Sequence, residues 1–251
     1  MSEPGSLIRA LAGRPTARNF HSYVIAEVGI GIASGRFPVG SILPNDAEMM
    51  DSYGVSRTVL REALKTLEAK GLVEARAKVG TRVLPKSRWN LFDRQVLAWI
   101  FEAGPEPTFL RSLADVREPL EIQAAEAAAR HRTAEHVRIL HYWLNQLIST
   151  AQMPELHAMA EFELHRTLAE ASQNPLLRAA TGLTEFGVAC ALSARREVQA
   201  GNLAAEKHPH YQGLLAAVEA ADQPGARAAM AAVLEADRHW MMQGPPGPRP
   251  D

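Results

Sequence analysis

Hydroxyl and cationic side chains recur at a helical spacing between residues 56 and 65. Arg57, Arg61 and Lys65 are each four residues apart, so a helix would place them on one face. Arginine can donate two hydrogen bonds to guanine, and the hydroxyls of Ser56 and Thr58 can bind phosphate. These residue types at this spacing predict a helix that contacts the major groove of duplex DNA.

The residues before this helix carry the signals that would position it. Asn45 can cap an earlier helix, and Glu48, three residues later, completes a capping box. Gly54 supplies the permissive backbone of a tight turn, and Ser56 caps the second helix. An apolar stripe on a different face of that helix is formed by Leu60, Ala63, Leu64 and Leu67. The segment therefore predicts a helix, a turn and a second helix.

Two short extended runs, residues 72–74 and 81–84, follow the second helix around a basic, glycine-containing turn. We interpret them as a β-hairpin wing in which Lys78, Gly80 and Arg82 contact DNA. A winged helix-turn-helix of this kind would read a palindromic double-stranded operator as a homodimer, because a twofold axis relates two recognition helices. The alternative is a cationic solvated helix beside an ordinary hairpin.

The remainder of the chain has helical periodicity only, punctuated by breaks such as Gly104-Pro105 and Asn174-Pro175. The predicted fold class is mainly α: an N-terminal winged helix-turn-helix with a small β-hairpin wing, then a C-terminal all-α helical bundle that serves as an effector domain. The predicted organisation is a flexible arm over 1–17, a DNA-binding domain over 18–84, a connector over 85–90, an all-helical domain over 91–241 and a disordered tail over 242–251.

Charge is divided unevenly along the chain. Residues 1–88 hold 13 Lys and Arg against 8 Asp and Glu, whereas the remainder holds 14 against 20. Phosphate attraction is local, so an acidic second half does not prevent DNA binding by the first. A lone cysteine, Cys190, favours a reducing cytoplasm, and no segment reads as a membrane span.

The motifs of the first domain resemble those of GntR-family transcription regulators. They are the runs at residues 43–48, 53–64, 67–73 and 80–81. Two departures stand out: Asn45-Asp46 replaces the usual Ser-Glu, and Lys78 replaces a common wing glycine. The second of these changes the tip of the wing, where DNA would be contacted.

Three further runs, at residues 89–99, 113–121 and 164–175, resemble the FadR-type effector domain, in the branch that regulates sugar-acid catabolism. The resemblance implies dimerisation, a small-molecule pocket, and often a divalent metal such as zinc held by an acidic residue and three histidines. Carried over, that site is half present: Glu161 and His165 match two ligands, whereas Tyr211 and Val233 occupy the histidine positions. Glu161, His165 and Tyr211 could equally hold an effector by direct hydrogen bonds.

Arg117 lies within an otherwise apolar helical segment and needs a partner. A guanidinium group matches a carboxylate through two parallel hydrogen bonds, so Arg117 is a candidate for binding a carboxylic acid effector. An internal salt bridge with Glu121, four residues later, accounts for it equally well.

The combined motifs predict a transcription regulator, with the resemblance implying a repressor, whose operator binding is controlled by a small carboxylic acid such as a sugar acid. A constitutive dimeric DNA-binding protein without an effector is one alternative. A metal-dependent enzyme built on Glu161 and His165 is another, but no activated nucleophile with an orienting partner is evident, so we expect no catalysis.

Overall fold

The computed structural model describes residues 5–11, 20–197 and 201–242. The chain divides into two compact units, which we call the winged-helix domain, residues 15–104, and the helical domain, residues 1–14 with 105–251. The helical domain therefore includes the first helix, α1 (Ser6–Leu11), and the winged-helix domain is inserted between α1 and the rest of the bundle.

The winged-helix domain combines four helices with one hairpin among its described residues. Its elements are α2 (Phe20–Ala33), α3 (Asp46–Tyr53), α4 (Arg57–Ala69), β1 (Val73–Arg76), β2 (Gly80–Val83), a 3-10 turn (Lys86–Arg88) and α5 (Arg94–Ala103). Helix α4 packs on α2 and buries Leu60, Ala63 and Leu67, while the cationic face of α4 remains exposed.

Local capping sets the geometry of α3 and α4 as the sequence predicts. The Asn45 side chain accepts a hydrogen bond from the Glu48 amide at 3.0 Å, and the Asn45 amide donates to the Glu48 carboxylate at 3.1 Å. Gly54 has φ 63°, a left-handed conformation, and the Ser56 hydroxyl oxygen accepts a hydrogen bond from Val59 at 3.4 Å. Leu60, in the stripe at 60, 63 and 67, is fully buried. The predicted helix, turn and helix are confirmed.

The wing is an antiparallel hairpin with the register Val73↔Val83, Glu74↔Arg82, Ala75↔Thr81 and Arg76↔Gly80. Lys78 at its turn has φ 63°. A non-glycine residue is uncommon in this left-handed region, so Lys78 occupies a position that suits glycine. The hairpin thus accommodates the sequence departure without losing its turn.

The boundary between the domains lies later than the sequence predicts. The connector over 85–90 is part of the winged-helix domain: the Trp89 indole donates to the Leu84 carbonyl at 3.0 Å, and Lys70 forms an ion pair with Asp93 at 2.5 Å. Helix α5 then packs against α2. The start of the helical domain at 91 is therefore corrected to 105, because tertiary packing claims a helix that periodicity alone assigns to the bundle.

The helical domain is a bundle of helices. Its elements after α5 are α6 (Pro107–His131), α7 (Ala134–Ser149), α8 (Pro154–Ala171), α9 (Pro175–Ala179), α10 (Thr181–Glu197), α11 (Gly201–Glu219) and α12 (Gln223–Met242). Part of its apolar core is a cluster of described residues from α6, α7, α8, α11 and α12. Leu147, Leu168, Val218 and Val233 are members of this cluster. No described helix is long and apolar enough to cross a membrane.

The predicted flexible arm over 1–17 contains an ordered part. Helix α1 packs on α8 and α10, with Ile8 buried and the Leu7 amide donating to the Glu185 carboxylate at 2.7 Å. The glycines and prolines around α1 favour an arm, but burial of Leu7 and Ile8 fixes this helix on the bundle. Residues 1–4 and 12–17 of the arm and 243–251 of the predicted tail lie outside the described residues, and α12 extends through Met242.

Candidate DNA-binding surface and effector site

The residues predicted to contact DNA are on α4 and the wing. Seven of the eight are exposed, namely Ser56, Arg57, Thr58, Arg61, Lys65, Lys78 and Gly80. Arg82 is half-buried and donates to the Gly40 carbonyl at 3.2 Å. Arg61 and Lys65 border the same groove as Ala75 and Thr81 of the wing. The cationic face of α4 therefore adjoins the wing, although DNA contact by these residues stays a prediction.

A cluster of charged and polar residues lies inside the helical domain, and we call it the buried polar cluster. Its members come from α6, α8, α11 and α12, and each is at most 5% exposed: Arg117, Glu121, Glu161, His165, Lys207, Tyr211 and Asp237. On three of these helices two members are four residues apart, which puts them on one helical face. The site predicted from sequence thus assembles Arg117, Glu161, His165 and Tyr211 in one place.

Arg117 is held inside this cluster by two carboxylates. Its Nε donates to Glu121 at 2.6 Å and its Nη2 to Asp237 at 3.4 Å. The internal salt bridge with Glu121 that the sequence leaves open is therefore formed, together with a second one. Nη1 faces only the Met241 sulfur, a weak acceptor, at 3.8 Å among its hydrogen-bond contacts with described residues.

His165 connects Glu121 to the other side of the cluster. Its Nδ1 contacts the Glu121 carboxylate, and its Nε2 lies 2.8 Å from the Tyr211 hydroxyl. That hydroxyl donates to Glu161 at 3.0 Å. Glu161 also accepts a hydrogen bond from the Lys207 ammonium, so a continuous network spans the four helices.

For Arg117 and Glu121, pairing with opposite charges changes the pKa more than burial does, so both groups are ionised. Burial alone would raise the pKa of Glu121, but Arg117 and His165 lower it to about 2. Burial alone would lower the pKa of Arg117, whereas Glu121 and Asp237 raise it above its usual value. Burial raises the pKa of Tyr211, and the nearby Glu161 raises it further. Arg117 and Glu121 are therefore charged inside the cluster, and Tyr211 is neutral.

A small cavity adjoins the cluster. It measures about 20 Å³, room for about one water molecule, and Arg117, Glu121 and His165 provide its charged and imidazole groups. Thr181 and Thr184 add hydroxyls, and the other lining side chains are apolar. Glu161 and Tyr211, also predicted to bind the effector, do not line the cavity: Tyr211 contacts His165, and Glu161 contacts Tyr211. A molecule larger than water requires the surrounding helices to move.

The donor set does not fit the divalent metal that the resemblance implies. Zinc sites in proteins use three or four ligands, but Val233 offers no donor and both ring nitrogens of His165 contact protein groups. Among the described residues, no group of three His, Cys, Asp or Glu side chains could hold a metal ion. Cys190 does not contribute either: it is buried in α10, and burial raises the pKa of its thiol.

Sequence reasoning missed Lys207 and Asp237 as members of the cluster. Each is one helical turn from a position that the resemblance marks: Lys207 from Tyr211, and Asp237 from Val233. The available signal was a charged residue on the buried stripe of an apolar helix, which needs a partner because burying an isolated charge is costly. The sequence indicates Glu121 only as a possible partner of Arg117.

Gly187 lets Arg117 reach its place. A Cβ atom there would lie 2.5 Å from Cζ of Arg117, far inside van der Waals contact. We therefore expect Gly187→Ala to displace the guanidinium and destabilise the chain by about 1–3 kcal/mol, the range for overpacking a core. Urea denaturation measures this loss, and Gly213→Ala on α11, where a Cβ meets no atom within 4 Å, is the matched control. Equal stability of Gly187→Ala and the native chain would contradict this account of the packing.

A winged helix-turn-helix with an exposed cationic helix, joined to an all-helical domain with a buried polar cluster, defines the class of two-domain DNA-binding transcription regulators. Two family models match this chain: "Bacterial regulatory proteins, gntR family" over residues 21–83, and "FCD domain" over residues 112–236. The chain belongs to the GntR family, in its FadR-like, FCD-containing subfamily. It is a transcription regulator and not an enzyme.

Curated relatives agree with this assignment. The chain is 30% identical over 155 residues to the galactonate operon transcriptional repressor of Escherichia coli K12, covering 62% of this chain and 68% of that protein. It is 36% identical over 159 residues to the uncharacterised regulator YieP of the same organism, covering 62% and 69%.

A solved structure shares the fold. It is the one described as Lar of Listeria monocytogenes, which aligns with a TM-score of 0.66 and 14% identity over 91% of this chain and 99% of that chain. Identity this low bears on the fold alone.

Proposed function

We propose that this regulator is a cytoplasmic homodimeric repressor, and that a small carboxylic acid of the sugar-acid class controls its binding to a palindromic operator. The observation that carries the effector proposal is the chemistry at the cavity. A guanidinium, an imidazole and two hydroxyls converge there beside the Glu121 carboxylate, and the rest of the lining is apolar. Ligand sites commonly combine such a lining with a few polar groups that fix orientation.

Arg117 supplies the group suited to an acid. Two of its nitrogens donate to Glu121 and Asp237, whereas Nη1 faces the thioether of Met241 at 3.8 Å. A carboxylate is a much stronger acceptor than a thioether, so an acid that reaches Nη1 would improve its hydrogen bonding. Hydroxyls on the same ligand would pair with His165 and the threonines.

Binding of the acid would change the helical domain because the cavity is so small. Five helices, α6, α8, α9, α10 and α12, contribute side chains to the lining or lie at its edge. Entry of the acid shifts the population toward a bundle in which these helices have separated. The chain leaves the winged-helix domain at Gly104-Pro105, so we propose that this segment, rather than residues 85–90, transmits the shift.

The test is a gel-shift titration on DNA from upstream of the chain's own gene. We expect one sugar acid of a panel to weaken operator binding by about 5–150-fold, the usual range for coupling between two sites. The same acid should raise the melting temperature of the DNA-free protein, because a ligand stabilises the state that it binds. The matched control for each acid is the corresponding neutral sugar, which lacks the carboxylate.

The alternatives give different results. If every acid leaves both DNA affinity and melting temperature unchanged, the chain is a constitutive DNA-binding protein. If an acid strengthens operator binding, effector control stands but the direction proposed here is reversed. A footprint without twofold symmetry would contradict the palindromic operator.

A further inference from the structure

The ammonium group of Lys207 lies at the centre of the buried polar cluster. Its side chain is fully buried, and Nζ donates to Glu161 and, at 2.5 Å, to Asp237. The ring of Tyr211 is also close, with its centroid 5.6 Å from Nζ. Lys207 is thus surrounded by groups that attract a positive charge.

These surroundings require a cation at this position. Glu121, Glu161 and Asp237 bring three carboxylates into the cluster, and Arg117 contacts the first and the third. Burying a carboxylate is costly unless a cation or hydrogen-bond donors compensate it. The Lys207 ammonium provides that compensation between Glu161 and Asp237, and it is covalently attached to α11.

The ammonium occupies one oxygen of Glu161 and one of Asp237, where a metal ion would otherwise bind. A metal ion on Oε1 of Glu161 would have to displace the ammonium and the Tyr211 hydroxyl, which both contact this oxygen, and an ammonium carries no lone pair with which to become a ligand. His165 would also have to leave Glu121 or Tyr211. A metal ion bound here would therefore break hydrogen bonds of Lys207, Tyr211 or His165. It would also have fewer protein ligands than a zinc site uses.

We infer that Lys207 is the built-in cation of the effector domain and replaces a divalent metal, so that the stability of this domain and its response to an effector need no metal. The inference about stability is independent of the proposed function. The part that concerns the effector response rests on the proposed function.

The first test uses the native full chain. After gel filtration without chelator, elemental analysis should find less than one tenth of an equivalent of divalent metal per chain, and chelator should leave the melting temperature unchanged. One equivalent of metal that is lost in His165→Ala would overturn the inference. A chelator-induced fall in the native melting temperature would overturn it as well.

The second test removes the positive charge from position 207. Lys207→Met keeps much of the side-chain volume and removes the charge, which leaves Glu161 and Asp237 without their ammonium. We expect its melting temperature to fall by roughly 6–20 °C, as for loss of one partner of a buried ion pair, and to ignore added Zn²⁺. A native-like melting temperature for this variant would overturn the inference.

Lys207→His converts the position into a metal ligand. The imidazole is shorter than lysine by about one metal–nitrogen bond, roughly 2.0–2.1 Å, so a metal ion bound to it would lie near the site of Nζ with Glu161 and Asp237 in reach. We expect Zn²⁺ to restore at least half of the lost melting temperature in this variant only. Equal Zn²⁺ effects in Lys207→Met and Lys207→His would count against the inference.

A final comparison separates this inference from the proposed function. If an acid releases the native chain from DNA, the acid concentration at half release should be the same within twofold with and without chelator. A chelator effect larger than tenfold would overturn metal independence while leaving effector control intact. If no acid acts at all, the proposed function fails, but the elemental analysis and the Lys207 variants still decide the role of the ammonium.

Discussion

Arg117→Met is expected to destabilise the protein by about 3–5 kcal/mol, the cost of removing one partner from a buried ion pair. Arg117 is 2% exposed and donates to Glu121 at 2.6 Å and to Asp237 at 3.4 Å. Methionine fills much of the space but leaves both carboxylates without the guanidinium. Lys207 and His165 compensate these carboxylates only in part. The native state therefore loses favourable interactions that the unfolded state does not have, and the free energy of unfolding falls. Urea denaturation followed by circular dichroism measures the difference.

Two variants test the cause of this loss. Arg138→Ala removes an arginine that pairs with Glu135 on the surface, with side chains 76% and 56% exposed, so we expect a far smaller loss of stability than for Arg117→Met. Combining Arg117→Met with Glu121→Gln removes a carboxylate together with its partner, and should cost less than the sum of the two single changes. A destabilisation of Arg117→Met no larger than that of Arg138→Ala would contradict a buried charge network held by Arg117.

The winged-helix domain could be predicted from sequence in detail because its signals act over a few residues. The cap at Asn45 reaches Glu48, and the turn needs only Gly54. The stripe that buries Leu60 follows from helical spacing within α4 itself. Each of these interactions forms between neighbours in the chain, so residue order was sufficient to place them.

The buried polar cluster is different because its contacts join distant parts of the chain. His165 meets Glu121 across 44 residues, and Arg117 meets Asp237 across 120. Periodicity could place each side chain on a buried or an exposed face, but it could not state which helices face one another. The resemblance to the effector-domain family predicted that Glu161, His165 and Tyr211 lie together. It gave no role to Lys207, one helical turn before Tyr211.

The two displaced boundaries have the same origin. Helix α1 is too short to be stable alone, and it persists because Ile8 is buried among α8 and α10. Helix α5 has no sequence mark that separates it from the bundle, yet it packs on α2. As a result, both ends of the winged-helix domain, near residues 15 and 104, are linked in sequence to the helical domain.

Replacing Arg57 and Arg61 together with alanine is expected to weaken operator binding strongly while leaving stability unchanged. Both side chains are exposed on α4 and make no ion pair with any described residue, so folding does not depend on them. Each arginine that reads a base contributes about 1–3 kcal/mol, and two on one face therefore remove about 2–6 kcal/mol if their effects add. Fluorescence anisotropy with labelled operator measures the loss, and urea denaturation verifies the fold.

Single variants separate base reading from phosphate contact. If Arg57 reads a base, Arg57→Ala lowers affinity for the operator more than for an unrelated duplex; if it binds phosphate, both fall equally and the salt dependence of log K drops by about 0.9. Arg138→Ala, which removes an exposed arginine from the helical domain, should leave DNA affinity within twofold of native. Should the double variant bind the operator as tightly as the Arg138 control, the cationic face of α4 would not be the DNA-binding surface.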